Sequence, residues 1–137
     1  MNLKVLIITP DADLNDRLGS LRMRHRPTVL LADTGMKGLN IARRAQPDVI
    51  VIDEELTDLD GSCVCAILRT QLSTRHIPII VLVPQPKLFL CGSLSTLSGL
   101  EFLPRTVPAE TLGEHVLNRV SSESEQAEPE PAELESA

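Results

Sequence analysis

Short aliphatic runs recur along the chain and are separated by longer segments of mixed polarity. The runs cover residues 5–8, 28–32, 49–52 and 79–83, with a shorter one at 101–103. Uninterrupted apolar runs of this length are typical of strands that are buried on both faces of a sheet. We therefore predict five buried strands spread over most of the chain.

The segments between the runs repeat apolar residues three or four positions apart, which is the spacing of one helix face. The predicted stripes are Leu14, Leu18 and Leu21; Met36, Leu39 and Ala42 in a helix from Gly35 to Gln46; Val64, Ile67, Leu68 and Leu72; and Leu112, Val116 and Val120 in a last helix that Pro108 opens. Residues 85–98 contain Pro86, Gly92 and several Ser and Thr, so we expect any helix there to be irregular or mobile.

Strands that alternate with helices predict a parallel sheet with helices on both faces. Because such crossovers are right-handed, the predicted fold is α/β: a doubly wound, five-stranded, flavodoxin-like sheet in three α/β/α layers. In sheets of this kind the functional crevice lies beyond the carboxyl ends of the strands. Those ends are Thr9-Pro10-Asp11, Asp53-Glu54-Glu55, Val83-Pro84 and Pro104-Arg105.

The net charge of −6 is confined to one end of the chain. The thirteen Lys and Arg between residues 4 and 119 are balanced by thirteen acids in the same span, and six Glu without a base follow from residue 123. We predict a domain over residues 1–121 and a disordered acidic tail or linker over 122–137. A neutral body with two Phe and no Trp or Tyr argues against nucleic acid and membranes as partners.

Cysteine and histidine usage predicts no metal centre. An odd number of cysteines (Cys63, Cys65 and Cys91) and no apolar run of signal-peptide or membrane-spanning length favour a reducing, cytoplasmic location. The three histidines, at 25, 76 and 115, lack ligand spacing and are expected to be solvated.

One stretch carries a recognisable motif. Residues 47–69 read PDVIVIDEELTDLDGSCVCAILR, in which Pro-Asp, four apolar residues and Asp53 are followed by Asp60-Gly61. Together with HIPIIVLVP and GLEFLPRTV further on, this pattern resembles the receiver domain of bacterial response regulators, the CheY-like superfamily. The resemblance covers roughly residues 4–120.

The resemblance implies a phosphoryl transfer from a histidine kinase to Asp53. In the family a Mg²⁺ ion is held by two acids after the first strand, by the acceptor Asp, and by a backbone carbonyl that would be that of Glu55 here. A Thr or Ser after the fourth strand binds the phosphoryl group, and a Lys after the fifth strand pairs with the acceptor. Positioning and charge neutralisation dominate this chemistry.

This sequence departs from that pattern at most of those positions. Thr9 and Pro10 replace the two acids, Val83 lacks the hydroxyl, and Arg105 replaces the Lys. Asp11 is a weak substitute for the missing acids, and Asp11, Asp53 and Glu55 are therefore weak metal candidates. Phe102 falls at the position of the family's switch aromatic, although it also suits a core position.

We therefore predict no cofactor and no enzymatic activity. The hypothesis is that Asp53 and Arg105 form a standing ion pair that mimics one signalling state, so that a degenerate receiver acts by binding signalling proteins, either a histidine kinase or an effector. Two alternatives stay open: phosphorylation at Asp53 through an altered Mg²⁺ site, and binding of a small anion at Arg105. The surface from Lys87 to Val120, with Lys87-Leu88-Phe89-Leu90, is the candidate for partner binding or a homodimer.

Overall fold

The computed structural model describes residues 3–19, 26–84 and 99–127, with side chains up to Val120. The strands are β1 (Lys4–Ile8), β2 (Thr28–Ala32), β3 (Val49–Asp53), β4 (Ile79–Val83) and β5 (Leu100–Pro104). The helices of the described part are α1 (Ala12–Gly19), α2 (Gly35–Ala45), α3 (Gly61–Thr70) and α4 (Ala109–Ala127). Each predicted strand is present within one residue of its expected bounds.

The five strands form one parallel sheet in the order β2-β1-β3-β4-β5. In register, Val5 of β1 lies between Val29 of β2 and Val49 of β3. This order places the change of direction between β1 and β3, and it confirms the predicted doubly wound, flavodoxin-like sheet. The switch point therefore lies where β1 and β3 end.

Two aliphatic clusters cover the two faces of the sheet. Alternate residues of β1 point to opposite faces: Leu6 and Ile8 join the cluster under α2 and α3, whereas Val5 and Ile7 join the one under α1 and α4. All four side chains are fully buried. Because each buried aliphatic side chain contributes roughly 1.5–3 kcal/mol, these central strands are the stable base on which the loops above them are held.

The prediction that every strand is buried on both faces is wrong for the two edge strands. β2 is largely exposed or half-buried, with Leu31 49% exposed, and β5 buries only Leu103. The outer side of an edge strand has no neighbouring strand, and helices cover it less completely than they cover the central strands. The runs at 28–32 and 101–103 therefore lie in strands without full burial.

Two residues of the predicted helix stripes do not belong to the core. Met36 is 52% exposed, and α2 instead buries Gly35, Gly38, Leu39 and Ala42. A Cβ atom on Gly38 would lie 2.4 Å from Ile8 Cδ1, so this glycine lets the helix approach β1 closely. Leu72 is 76% exposed because α3 ends at Thr70, before the residue could join its apolar face.

The last helix is longer than predicted. We expected it to end near Val120 and the chain to be disordered from residue 122, whereas α4 continues to Ala127. Residues 121–127 contain no Gly or Pro and include Glu, Gln and Ala, which favour helix.

Some predictions concern residues outside the described part of the chain. These are the predictions for Leu21, His25, the 85–98 segment with Lys87-Leu88-Phe89-Leu90 and Cys91, and residues 128–137.

Candidate functional site

Three loops meet at the carboxyl end of the sheet, as the switch-point rule requires. Asp53 is the last residue of β3, Thr9 directly follows β1, and Arg105 directly follows β5. Asp53 and Thr9 are fully buried, and the Arg105 side chain is 27% exposed. The backbone N–H of Arg105 donates to the Val83 carbonyl at 3.0 Å, which extends the β4–β5 pairing and fixes where the Arg105 side chain starts.

The Asp53 carboxylate accepts three hydrogen bonds from the chain itself. Oδ2 accepts from Thr9 Oγ1 at 2.7 Å and from Arg105 Nη2 at 3.0 Å, and Oδ1 accepts from the Glu55 backbone N–H at 3.0 Å. Both carboxylate oxygens therefore have donors. A buried charge is tolerated only with partners of this kind, and Arg105 supplies the compensating positive charge.

The Arg105 guanidinium is shared by three carboxylates. Besides Asp53, its Nη2 atom lies 3.2 Å from Asp11 Oδ2, and its Nη1 atom lies 3.4 Å from Glu55 Oε1. The carboxylates come from the loops after β1 and β3, whereas the cation comes from the loop after β5. One Arg side chain thus bridges the loops that surround the switch point.

Asp11 has two structural roles, which couple α1 to this ion network. Its Oδ1 atom accepts from the backbone N–H groups of Asp13 at 3.0 Å and Leu14 at 3.3 Å, and so caps the start of α1. Its Oδ2 atom binds Arg105. The side chain of Arg17, one turn along α1, donates to the Arg105 carbonyl, so α1 holds both the side chain and the backbone of that residue.

Similarity to known proteins is limited but consistent. No protein-family model matches the chain. It is 30% identical over 102 residues to the response regulator PleD of Caulobacter vibrioides, a match that covers 74% of this chain and 21% of that protein. It is 34% identical over 79 residues to the DNA-binding dual master transcriptional regulator RpaA of a Synechocystis strain, covering 58% of this chain and 33% of that protein. The chain thus matches only a fifth to a third of the length of these curated relatives.

Solved structures show the same fold. The chemotaxis response regulator CheY4 of Vibrio cholerae superposes with a TM-score of 0.76 at 22% identity, over 88% of this chain and 99% of that one. A response regulator receiver domain protein from Clostridium thermocellum gives 0.75 at 22% identity, over 89% and 97%. The chain is a receiver domain of the CheY-like superfamily. Receivers are signalling modules of two-component systems.

Within this receiver, the predicted site residues do not all contribute a contact. Thr9, Asp11, Glu55 and Arg105 surround Asp53, whereas Pro10 is exposed. Val83 is buried at the end of β4, where it offers the site its carbonyl but no hydroxyl. Outside the site, the half-buried Phe102 packs against the core cluster under α2 and α3, so its two possible roles both stay open.

The acidic side chains present do not fit a Mg²⁺ site. Magnesium needs several hard oxygen ligands in near-octahedral array. Asp11, Asp53 and Glu55 each contact Arg105 instead, and positions 9 and 10 supply no carboxylate. Throughout residues 3–19, 26–84 and 99–127, no three His, Cys, Asp or Glu side chains are grouped as metal ligands would be.

In the Asp60-Gly61 pair, the backbone rather than a side chain determines how α3 begins. Gly61 begins α3 so close to the end of β3 that a Cβ atom would lie 2.8 Å from Glu54 Cα and 2.9 Å from the Asp53 carbonyl. Asp60 precedes α3 without a side-chain cap bond. Glu54 is half-buried here, and burial, with the neighbouring acids Glu55, Asp53 and Asp60, raises its pKa.

Asp58 is a structural residue that the sequence analysis missed. Its Oδ1 atom accepts from the Gly35 backbone N–H at 2.8 Å and its Oδ2 atom accepts from Met36 at 3.0 Å, so a side chain from the β3–α3 loop caps α2. These hydrogen bonds hold the pKa of Asp58 below its ordinary value of 3.8. No local sequence signal reveals this cap, because donor and acceptor lie more than twenty residues apart.

His115 corrects the expectation of solvated histidines. It is half-buried on α4, and its Nδ1 contacts Glu101 Oε2, while Arg119 Nε donates to Glu101 Oε1 at 2.9 Å. His76 is exposed, as expected.

Cys63 is exposed and Cys65 is buried, and burial raises the pKa of the Cys65 thiol to about 12. No helix in the described part of the chain has both the length and the apolar character to cross a bilayer.

Proposed function

We propose that this receiver signals without being phosphorylated, by presenting one fixed conformation to a signalling protein of a two-component pathway. The partner is a histidine kinase or a downstream effector, in the cytoplasm, and the domain itself performs no catalysis. The observation that carries the proposal is the position of the Arg105 guanidinium, 3.0 Å from the fully buried carboxylate of Asp53.

The first support is that the positive charge at the site belongs to a side chain, Arg105, and not to a bound metal ion. Phosphoryl transfer depends on neutralising the charge of the transferred group, which a bound divalent ion ordinarily supplies. Here Arg105 supplies one positive charge to the three carboxylates of Asp11, Asp53 and Glu55, and this charge does not depend on the concentration of any ion. For a metal to bind, it would have to displace a guanidinium that three carboxylates hold.

The second support is the occupancy of the Asp53 oxygens. An attacking carboxylate oxygen needs a free lone pair, and of the about four lone-pair sites of a carboxylate three are occupied here. Thr9 and Arg105 donate to Oδ2 and the Glu55 N–H donates to Oδ1, which leaves one lone pair on Oδ1. Donors that stabilise the ionised carboxylate in this way also lower its reactivity as a nucleophile. The loops after β1, β3 and β5 are then held together permanently rather than only after modification.

The primary test is incubation with acetyl phosphate and Mg²⁺, followed by intact-mass measurement. We expect no stable gain of one phosphoryl group. The matched control is a variant that restores the side chains of the family pattern: Thr9→Asp, Pro10→Asp, Val83→Thr and Arg105→Lys. We expect this variant to gain the group at Asp53 and to lose it when Asp53→Asn is added. A phosphoryl group on the unmodified chain that Asp53→Asn abolishes would overturn the proposal and favour the phosphorylated alternative.

A second test addresses the metal directly. Titration with Mg²⁺, followed through the backbone amide signals of residues 9, 11 and 53–55, should show no saturable binding in the millimolar range. The restored variant should show it in the same range, which verifies that the measurement is sensitive enough. Saturable binding of comparable strength to both proteins would show that Arg105 does not exclude the ion, and the first support would fail.

A further inference from the structure

The described charges of the domain are unevenly distributed between the two ends of the sheet, although the body is neutral. Acids cluster in the loops at the carboxyl ends of the strands. At the amino ends lies a set of bases that we call the basic edge: Lys4, Arg26, Arg43, Arg44 and Arg75. Lys4 begins β1, Arg26 precedes β2, Arg43 and Arg44 end α2, and Arg75 precedes β4, so the parallel topology brings them to one side.

Few acids at this edge oppose these bases. Asp48 accepts from the Lys4 backbone N–H at 2.8 Å, and Glu101 is engaged by His115 and Arg119. Arg26, Arg43, Arg44 and Arg75 are all exposed, whereas Lys4 is half-buried and its Nζ donates to the Ala45 carbonyl at 2.9 Å. The carboxyl-terminal ends of α2 and α3 also face this edge. Their helix dipoles favour cations over anions there, but the effect does not extend beyond the last turn of each helix. The basic edge therefore projects positive charge into solvent.

Helix α4 runs toward the same edge, and the acidic residues 128–137 follow it in the sequence. Arg119 Nη2 donates to the carbonyl of Leu100, the first residue of β5, at 3.3 Å, so the helix is already level with the amino ends of the strands at that point. Eight further residues reach Ala127, and at 1.5 Å per residue they add about 12 Å. Residues 128–137 follow in the sequence, with Glu128, Glu130, Glu133 and Glu135 and no base.

We propose that residues 128–137 bind across the basic edge of their own domain. Ten residues reach about 33 Å when extended, whereas five strands at about 4.8 Å spacing make an edge of about 20 Å. The segment is therefore long enough to reach bases on both faces of the sheet. Because it is tethered at Ala127, its effective concentration at the edge is high, and contacts that are individually weak can act together. The inference does not depend on the state of Asp53.

The test uses a nitroxide label on the full chain at Ser136→Cys, with Cys63→Ser and Cys91→Ser. Cys65 is buried and its raised pKa of about 12 keeps the thiol protonated, so it stays unlabelled. We expect the label to cause loss of amide signal at the basic edge and not at residues 9, 11 or 53–55. The loss should disappear in about 0.5 M salt, where screening is short-ranged, and when Glu128, Glu130, Glu133 and Glu135 are changed to Gln.

A matched pair of variants tests the surface itself. Arg43→Gln with Arg44→Gln should restore the amide signals, whereas Lys37→Gln, an exposed base at the other end of α2, should leave the loss unchanged. The label is then placed on an unenriched chain mixed with an unlabelled, isotope-enriched one. Signal loss in that mixture would assign the contact to a second copy and overturn the proposal, as would the absence of any loss at low salt in the singly labelled chain.

Discussion

The two ends of the sheet use charge in opposite ways. At the carboxyl end, Asp53 is fully buried and Arg105 is 27% exposed, and the two are linked to Asp11 and Glu55 in one network. At the amino end, four of the five bases of the basic edge are exposed: Arg26, Arg43, Arg44 and Arg75. Charges in a low-dielectric site interact strongly and cannot be left unpaired, whereas exposed charges are screened and contribute little to folding. Burial therefore separates the charges that maintain the structure from those that remain available to another segment.

The largest effect should come from removing the buried cation. Arg105→Ala leaves Asp53 as an uncompensated buried carboxylate, a change that typically costs 3–5 kcal/mol; because Arg105 is partly exposed, we expect about 3 kcal/mol. Denaturant unfolding at neutral pH measures the free energy of unfolding. Adding Asp53→Asn to Arg105→Ala should recover part of the loss, because the unpaired charge is then gone. A double variant less stable than Arg105→Ala alone would show that charge compensation is not what Arg105 contributes.

A smaller loss should follow Thr9→Val, which keeps the shape of the side chain but removes its hydroxyl. A hydrogen bond to a charged group contributes roughly 1.5–3 kcal/mol, and the hydroxyl that is lost donates to Asp53 at 2.7 Å. The same unfolding measurement applies. Thr57→Val, at an exposed Thr in the loop after β3, is the control and should change stability by less than about 0.5 kcal/mol. Equal effects of the two changes would contradict the role assigned to Thr9.

Asp58 tests an exposed charge that nevertheless has a structural partner. Its folded-state pKa is lowered by the N–H groups of α2, so its contribution to stability is present above the ordinary value of 3.8 and is lost as the pH falls through the folded-state value. Asp58→Asn should therefore lower stability at neutral pH and flatten the acid part of the stability profile. Asp60→Asn is the matched change, because Asp60 forms no side-chain cap bond with α3. A stability profile unchanged by Asp58→Asn would show that the Asp58 cap of α2 does not stabilise the fold.

The smallest effect is expected at the amino end. Arg43→Gln with Arg44→Gln removes two exposed charges, and we expect the free energy of unfolding to change by no more than about 0.5 kcal/mol. Thermal unfolding at low and high salt is sufficient to measure it. A loss as large as that for Arg105→Ala would mean that the basic edge maintains the fold, and the contrast between the two ends would fail.

The fold was largely predictable from sequence, for a local reason. Buried parallel strands must be nearly continuous in apolar residues, so Val49–Asp53 and Ile79–Val83 could be located by inspection. Helix bounds were less predictable, because apolar spacing does not reveal which turn meets the sheet. Met36 continued a stripe that the helix places toward solvent, while Gly38, without a side chain to recognise, occupies the contact with Ile8.

The site was predictable in its members but not in its arrangement. Asp53 and Arg105 could be named from a motif, and the structure places Arg105 Nη2 3.0 Å from Asp53 Oδ2. That Asp11 and Glu55 share the same guanidinium, and that Thr9 donates to the acceptor carboxylate, was not predictable, since these contacts depend on loops that meet only after the sheet has formed.

The order of residues by itself determined the alternation of strands and helices, the aliphatic core and the confinement of excess negative charge to the last residues, because these are properties of neighbouring positions. Tertiary structure alone decided which charges are buried together and which are left in solvent. Asp11, Asp53 and Arg105 are up to 94 residues apart, and only a parallel sheet that ends all its strands on one side brings them within hydrogen-bond distance. The same topology gathers the bases at the opposite side.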